Sequence, residues 1–154
     1  MDKVKRTAMM MVLAVLVLTT TGFGSKKSPS TPRPDETGTT QRVNLIKSGN
    51  AQQKAAAAFW LSRQSPLDAS IIDSMAGLLG DKTPVDSSQY RYIVDEHKPT
   101  LGEEVALALV RIGPPSIPPL IRVLKTSPVP EARKNAARAL GALHQNGITE
   151  PNAV

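Results

Sequence analysis

The chain of 154 residues has no cysteine, which excludes a disulfide framework, thiolate metal sites and the lipid-bearing cysteine that a bacterial lipoprotein requires. Aromatic residues make up only 3% of it (Phe23, Phe59, Trp60, Tyr90 and Tyr92). With so few of the side chains that favour pleated surfaces, and with alanine, leucine and isoleucine dominating the apolar set, close-packed helices are expected rather than sheet. Histidine occurs twice, at His97 and His144, and no phosphate loop, nucleophile elbow, zinc-binding His-Glu-x-x-His or EF-hand string is present. No catalytic residue is assigned on this basis, and no cofactor or metal is expected. Long apolar runs are missing too. The run Ala8–Leu18 falls well short of the roughly 20 residues that span a bilayer as a helix.

Charge is present but modest. The formal net charge is +6, and Lys3, Lys5 and Arg6 against Asp2 account for +2 of it. The remainder is ordinary for a soluble surface. From Arg111 onward six basic residues face only Glu131 and Glu150, whereas Asp81 to Glu104 holds six acids against three bases. The basic half suits an anionic partner, although plain surface solvation is the simpler reading.

Residues 1–24 read as an export signal. Lys3, Lys5 and Arg6 precede the apolar run, which is followed by Thr19 to Thr21 and the small-residue cluster Gly22-Phe23-Gly24-Ser25. A positive start, a short apolar centre and small residues at a cleavage point are what a secretory signal needs, and cleavage after Gly24 fits best. An uncleaved anchor facing outside the cytoplasm is the alternative. The next stretch, Ser25–Gln41, has three prolines, many hydroxyl residues and no large apolar side chain. Its composition predicts a disordered spacer. Residues 42–154 remain for a folded domain, enough for a thin core.

That domain repeats itself. Ala136, Ala139, Leu140 and Leu143 sit at i, i+3, i+4 and i+7; Val105, Ala108, Leu109 and Ile112 carry the same stripe, and Ala55, Ala58, Phe59 and Ser62 echo it with a polar break at Ser62. A second kind of stripe, Ile117, Leu120, Ile121 and Leu124, lies between two of these and is matched by Ile72, Met75, Ala76 and Leu79. Each stripe is one face of an amphipathic helix, so the unit is helix, turn, helix. Asn50 with Gln53, and Thr100 with Glu103, have the spacing of capping boxes. Pro118, Pro119 and Pro130 fall in first turns, where a missing N–H costs nothing. Gly80, Gly113 and Gly147 follow last turns, where a left-handed residue is wanted.

The segment Leu101–Leu143, with its Ala108-Leu109-Val110-Arg111-Ile112-Gly113 turn, its Ile117-Pro118-Pro119-Leu120-Ile121 helix and the run from Ser127, resembles the short HEAT repeats found in phycobilin lyases and many bacterial scaffold proteins. The resemblance implies an all-α fold, a short right-handed α-solenoid of paired antiparallel helices used for protein binding. It implies no catalytic residue, because such families share a packing motif and not a site. Two departures stand out. Residues 81–100 interrupt the period, and insertions in solenoids commonly emerge on the binding face. The array is also short, about two and a half units where roughly three are needed for stability. The helix Glu103–Ile112 is apolar nearly all round, so a partner, a second copy of the chain or the insert itself is expected to cover an open edge.

Few side chains suggest chemistry. His144 closes the last helix, where its charge complements the helix dipole. His97 lies beside Asp95 and Glu96, but adjacent residues rarely converge on one atom, so a hydrolase or metal site there is the weakest reading. Tyr90 and Tyr92 flank Arg91 in the insert, either as exposed contact anchors or folded back to cap the helix Glu103–Ile112. Trp60 beside Phe59 reads as core packing. Arg122 with Lys125, and Lys134 with Arg138, share helix faces and form a candidate basic ridge, with nucleic acid unexpected for want of a groove-reading motif.

The expectation is therefore a non-enzymatic protein-binding or scaffolding module, exported to the periplasm or medium. Its tentative protein-binding residues are Tyr90, Arg91, Tyr92, Arg122, Lys125, Lys134 and Arg138. The alternative is an accessory subunit that completes its repeat stack on an enzyme partner. Export through a cleaved signal predicts that the mature protein, recovered from its cellular location and weighed by intact mass spectrometry, begins at Ser25. A mass that retains residues 1–24 would select the anchor.

Overall fold

A computed structural model describes residues 34–64, 66–91 and 98–147, and among these the fold is all helical. Six α-helices follow one another: α1 (Pro34–Ser48), α2 (Ala51–Leu61), α3 (Ala69–Ala76), α4 (Leu101–Ile112), α5 (Ile117–Thr126) and α6 (Pro130–Gln145). Short 3-10 turns lie at Ser87–Gln89 and Pro114–Ser116. The expected signal, the first part of the spacer, Tyr92, Asp95, Glu96 and His97 lie outside the described residues.

Local signals place the helix starts as expected. Asn50 Oδ1 accepts from the Gln53 amide at 2.9 Å while Gln53 Oε1 accepts from the Asn50 amide at 3.0 Å. Thr100 and Glu103 make the same reciprocal pair, at 3.3 and 2.9 Å. Each box satisfies amides at a helix start that have no partner within the helix, and losing such a cap costs about 1 kcal/mol.

The helices pack in two rows. Within successive pairs α1 lies on α2, α3 on α4 and α5 on α6; across pairs, α4 adjoins α2 and α6, and α3 adjoins α1 and α5. The expected stripes supply this contact. Ala55, Ala58, Val105, Ala108, Leu109, Ala136, Ala139 and Leu143 are buried on the even helices, and Ile72, Met75, Ala76 and Leu120 on the odd ones. Small alanines on three adjacent helices let their axes approach closely.

Three expectations need correction. Residues 34–41, expected within a disordered spacer, are the first turns of α1. The helix is carried by its far end, where Ile46 is buried and Val43 and Leu45 pack on the core, so tertiary contact overrides a polar composition. Second, Gly113 and Gly147 do take positive φ (85° and 73°), but Gly80 does not. Helix α3 has already closed at Gly77, and a side chain at Gly80 would press on Val129 Cγ1 at 3.0 Å. Close approach, not handedness, is what glycine provides there. Third, Trp60 was expected in the core and is instead 42% exposed.

The insert is tied at its base. The Val85 amide donates to Pro99 O and the Leu101 amide to Thr83 O, both at 2.9 Å, and the Gly102 amide donates to Asp81 O at 2.9 Å. Here the start of α4 presses on the chain leaving α3. A Cβ on Gly102 would collide with Leu79 O and sit 2.9 Å from Asn135 Nδ2. In an unconstrained helix Gly→Ala stabilises by up to about 1 kcal/mol. At Gly102 the sign is expected to reverse, with Gly102→Ala lowering stability by about 1–3 kcal/mol through overpacking. Urea denaturation checks this, as a lower midpoint at unchanged slope; a midpoint equal to or above the parent's would show that the contact yields.

Candidate functional site

Helix α4 is the middle member of the even row, and its exposed side carries two hollows that meet over Leu107 and Val110. One, of about 480 Å³, lies between the insert, α4 and α6 and is lined by Arg91, Pro99, Glu104, Leu107, Arg138 and Ala139 among others. The other, of about 1090 Å³, lies between α2, the 3-10 turn of the insert and α4, with Trp60, Arg63, Tyr90, Leu107 and Arg111 in its wall. Leu107 is 49% exposed although its helix is otherwise packed on three neighbours. Helices α2, α3 and α6 adjoin α4, and of the cover expected for its open edge the described part of the insert supplies some, through Tyr90 and Arg91, while Leu107 stays open.

Tyr90 and Arg91 fold back onto α4. Arg91 Nη2 lies 2.9 Å from Glu104 Oε2, and the Tyr90 hydroxyl donates to the same oxygen at 3.2 Å. The Tyr90 ring packs on Phe59, with centroids 5.3 Å apart. Of the two roles open to the tyrosines of the insert, folding back on α4 is the one that the geometry of Tyr90 matches, and Tyr92 lies outside the described residues. Burial pushes the Glu104 carboxyl above its ordinary range, and the Arg91 charge and the Tyr90 hydrogen bond oppose this. The Tyr90 phenol is pushed up by burial and by the Glu104 charge, so it keeps its proton and acts as a donor. On the α2 side, the Gln52 side-chain amide both donates to and accepts from the Asp86 backbone, at 2.8 Å each way. Asp86 in turn caps the 3-10 turn, and hydrogen bonds from the Ser88 side chain and amide hold its carboxyl below the usual range.

The basic residues do not form one ridge. Arg122 reaches Asp73 on α3 at 3.2 Å, in the odd row, whereas Arg138 reaches Glu103 on α4 at 3.5 Å, in the even row. Lys134 is paired with Glu131 at 2.8 Å within α6, and Lys125 is exposed on α5. Three of the four cations are thus matched by carboxylates, and the two pairs point into different rows. His144 stands exposed in the last turn of α6, where a cation complements the helix dipole.

A different set of arginines gathers around Phe59 and Trp60, and two of them, Arg63 and Arg111, line the larger hollow. Arg63 and Arg111 each place their guanidinium carbon 5.2 Å from the centroid of Phe59, and Arg42 and Arg63 lie 5.7 and 5.8 Å from that of Trp60. Sequence reasoning missed this cluster, since its members come from α1, the turn after α2 and the end of α4. It missed Glu104 as well, for which the available signal was an acid inside a helix otherwise apolar on nearly every side. Among the described residues no group of acids, histidines and cysteines is arranged to hold a metal ion. The chain matches no protein-family model, no curated protein and no solved structure.

A carboxyl raised on folding binds its proton more tightly in the folded chain. Its contribution to stability is then largest below the ordinary value of 4.5 and declines as pH rises toward the folded value. The stability of the parent relative to Glu104→Gln is therefore expected to fall on going from about pH 4 to pH 7, the window in which a raised carboxyl ionises. Urea titrations of both proteins across that range check it, and a difference that is flat or rises with pH would contradict the assigned cause.

Proposed function

We propose that this chain is a non-enzymatic protein-interaction module of the cell envelope, built as a short HEAT-like α-solenoid whose even-row face is the binding surface. Support for the solenoid comes from the order of packing: odd helices adjoin odd ones and even adjoin even, with each odd helix on its following even partner. That is the arrangement in which each repeat contacts only its neighbours. Export rests on the sequence pattern of residues 1–24.

The observation that carries the binding reading is Leu107. A leucine half exposed at the centre of a face, with Trp60 exposed beside it and hollows on either side, is a place where partner burial is favourable. Fully burying a leucine is worth about 1.5–3 kcal/mol, so completing the burial of this one is worth on the order of 1 kcal/mol. An aromatic rim with arginine around an apolar centre has the composition of an interface core.

Affinity capture from envelope extract with the intact chain tests this, comparing the parent with Leu107→Lys and with Lys125→Ala in the odd row. Both variants are expected to stay within about 0.5 kcal/mol of the parent in stability, since both sites are exposed. Recovery of the bound protein is expected to drop with Leu107→Lys and to persist with Lys125→Ala. Equal recovery from all three would remove the even-row face from the reading.

A further inference from the structure

Resting on the interaction reading above, we propose that the hollow between α2 and α4 receives an acidic peptide segment of the partner. Its carboxylates pair with Arg63 and Arg111, and an apolar side chain between them sits on Leu107 and Val110.

The argument begins with what the arginines lack. Arg91, Arg122 and Arg138 are each paired with a carboxylate, and Arg133 donates to Ser127 O at 2.8 Å. Arg42, Arg63 and Arg111, in contrast, have no ion pair among the described residues, and they are the three that crowd around Phe59 and Trp60. Ring faces hold a guanidinium by about 0.5–1 kcal/mol at exposed sites, which leaves the mutual repulsion of neighbouring cations uncompensated. Glu104 acts on Arg111 through space, but its Oε2 already accepts from Arg91 and Tyr90. Among the described residues, the wall of the hollow contains Arg63, Arg91 and Arg111 and no aspartate or glutamate. The unmet charge is thus positive and local.

The arrangement also discriminates between anions. A nucleic-acid strand presents phosphates at regular intervals and is followed by cations laid out along a track. Here Arg63 and Arg111 converge on one ring instead of following a track, and Leu107 and Val110 join the aromatic wall of Phe59, Trp60 and Tyr90 in an apolar floor that suits a buried side chain. A lipid surface is flat, whereas these residues line a concavity. Carboxylates on either side of one apolar residue match both the charge and the floor, with the planar guanidinium forks suited to carboxylate geometry.

Trp60 is the only tryptophan of the chain and stands half exposed in the wall of the hollow, so its fluorescence reports occupancy directly. The intact chain is panned against a displayed random-peptide library, and the enriched peptide is then titrated into the protein while Trp60 emission is followed. Enrichment of aspartate and glutamate around an aliphatic or aromatic residue is expected. The synthetic peptide should give a saturable change that weakens with salt, and its affinity should fall about tenfold or more for Arg63→Gln/Arg111→Gln, a loss of about 1.4 kcal/mol or more. Arg63→Lys should recover part of that loss. Enrichment of uncharged or basic peptides, no enrichment at all, or equal binding of the Asn/Gln counterpart of the peptide would overturn the proposal. So would displacement of the peptide by oligouridylate or by phosphatidylglycerol vesicles at lower concentration than by the free peptide itself. Envelope capture separates the two readings. A partner lost with Leu107→Lys but indifferent to the arginine pair leaves the interaction face standing and removes its acidic ligand; a partner indifferent to both removes both.

Discussion

The carbonyl oxygen of Leu79 is where three helices are registered against one another. It belongs to the chain leaving α3, it accepts from Asn135 Nδ2 on α6 at 2.9 Å, and the glycine at position 102 lets the first turn of α4 come up against it. Asn135 and Leu79 are both fully buried, so the hydrogen bond has no competing water, and leaving either group without its partner would cost about 1–3 kcal/mol. The position of α4 in the middle of the even row follows from this contact. So do both hollows, because α4 supplies a wall to each.

Glu104 extends that dependence outward. A carboxylate this deeply buried adds little net stability, since desolvation offsets most of the attraction to Arg91. Its effect is positional. By gathering Arg91 and the Tyr90 hydroxyl on one oxygen it lays the arm of the insert against α4, where Arg91 lines both hollows and Leu107 stays open where they meet. The insert is therefore part of the candidate binding face as a wall, with its tyrosine turned inward.

What the sequence disclosed was what is decided locally. The two capping boxes and the stripes of α4 to α6 follow from spacings of three and four residues, and these are where the expected and observed helices coincide, whereas the stripe of α3 is helical only as far as Ala76 and Leu79 lies past the helix end. Hidden from it was whatever depends on residues far apart. The first turns of α1 read as a spacer, and they are helical because the later residues Val43, Leu45 and Ile46 find the core. Gly80 reads as a helix terminator because the reason for it, Val129, lies forty-nine positions on. The basic residues of α5 and α6 look like one ridge on a helical wheel, yet Arg122 and Arg138 find acids in different rows. The arginine cluster around Phe59 and Trp60 is assembled from three segments and has no signature in any one of them.

The lateral bond between Gln52 and the Asp86 backbone has a mechanical consequence. Packed helices move relative to one another by small sliding shifts at their contacts. Here the insert is fastened to α2 by that paired amide and to α4 by Glu104, so it works as a strap across the seam between them. Opening the seam would stretch these hydrogen bonds along their length as well as shear apolar side chains past one another.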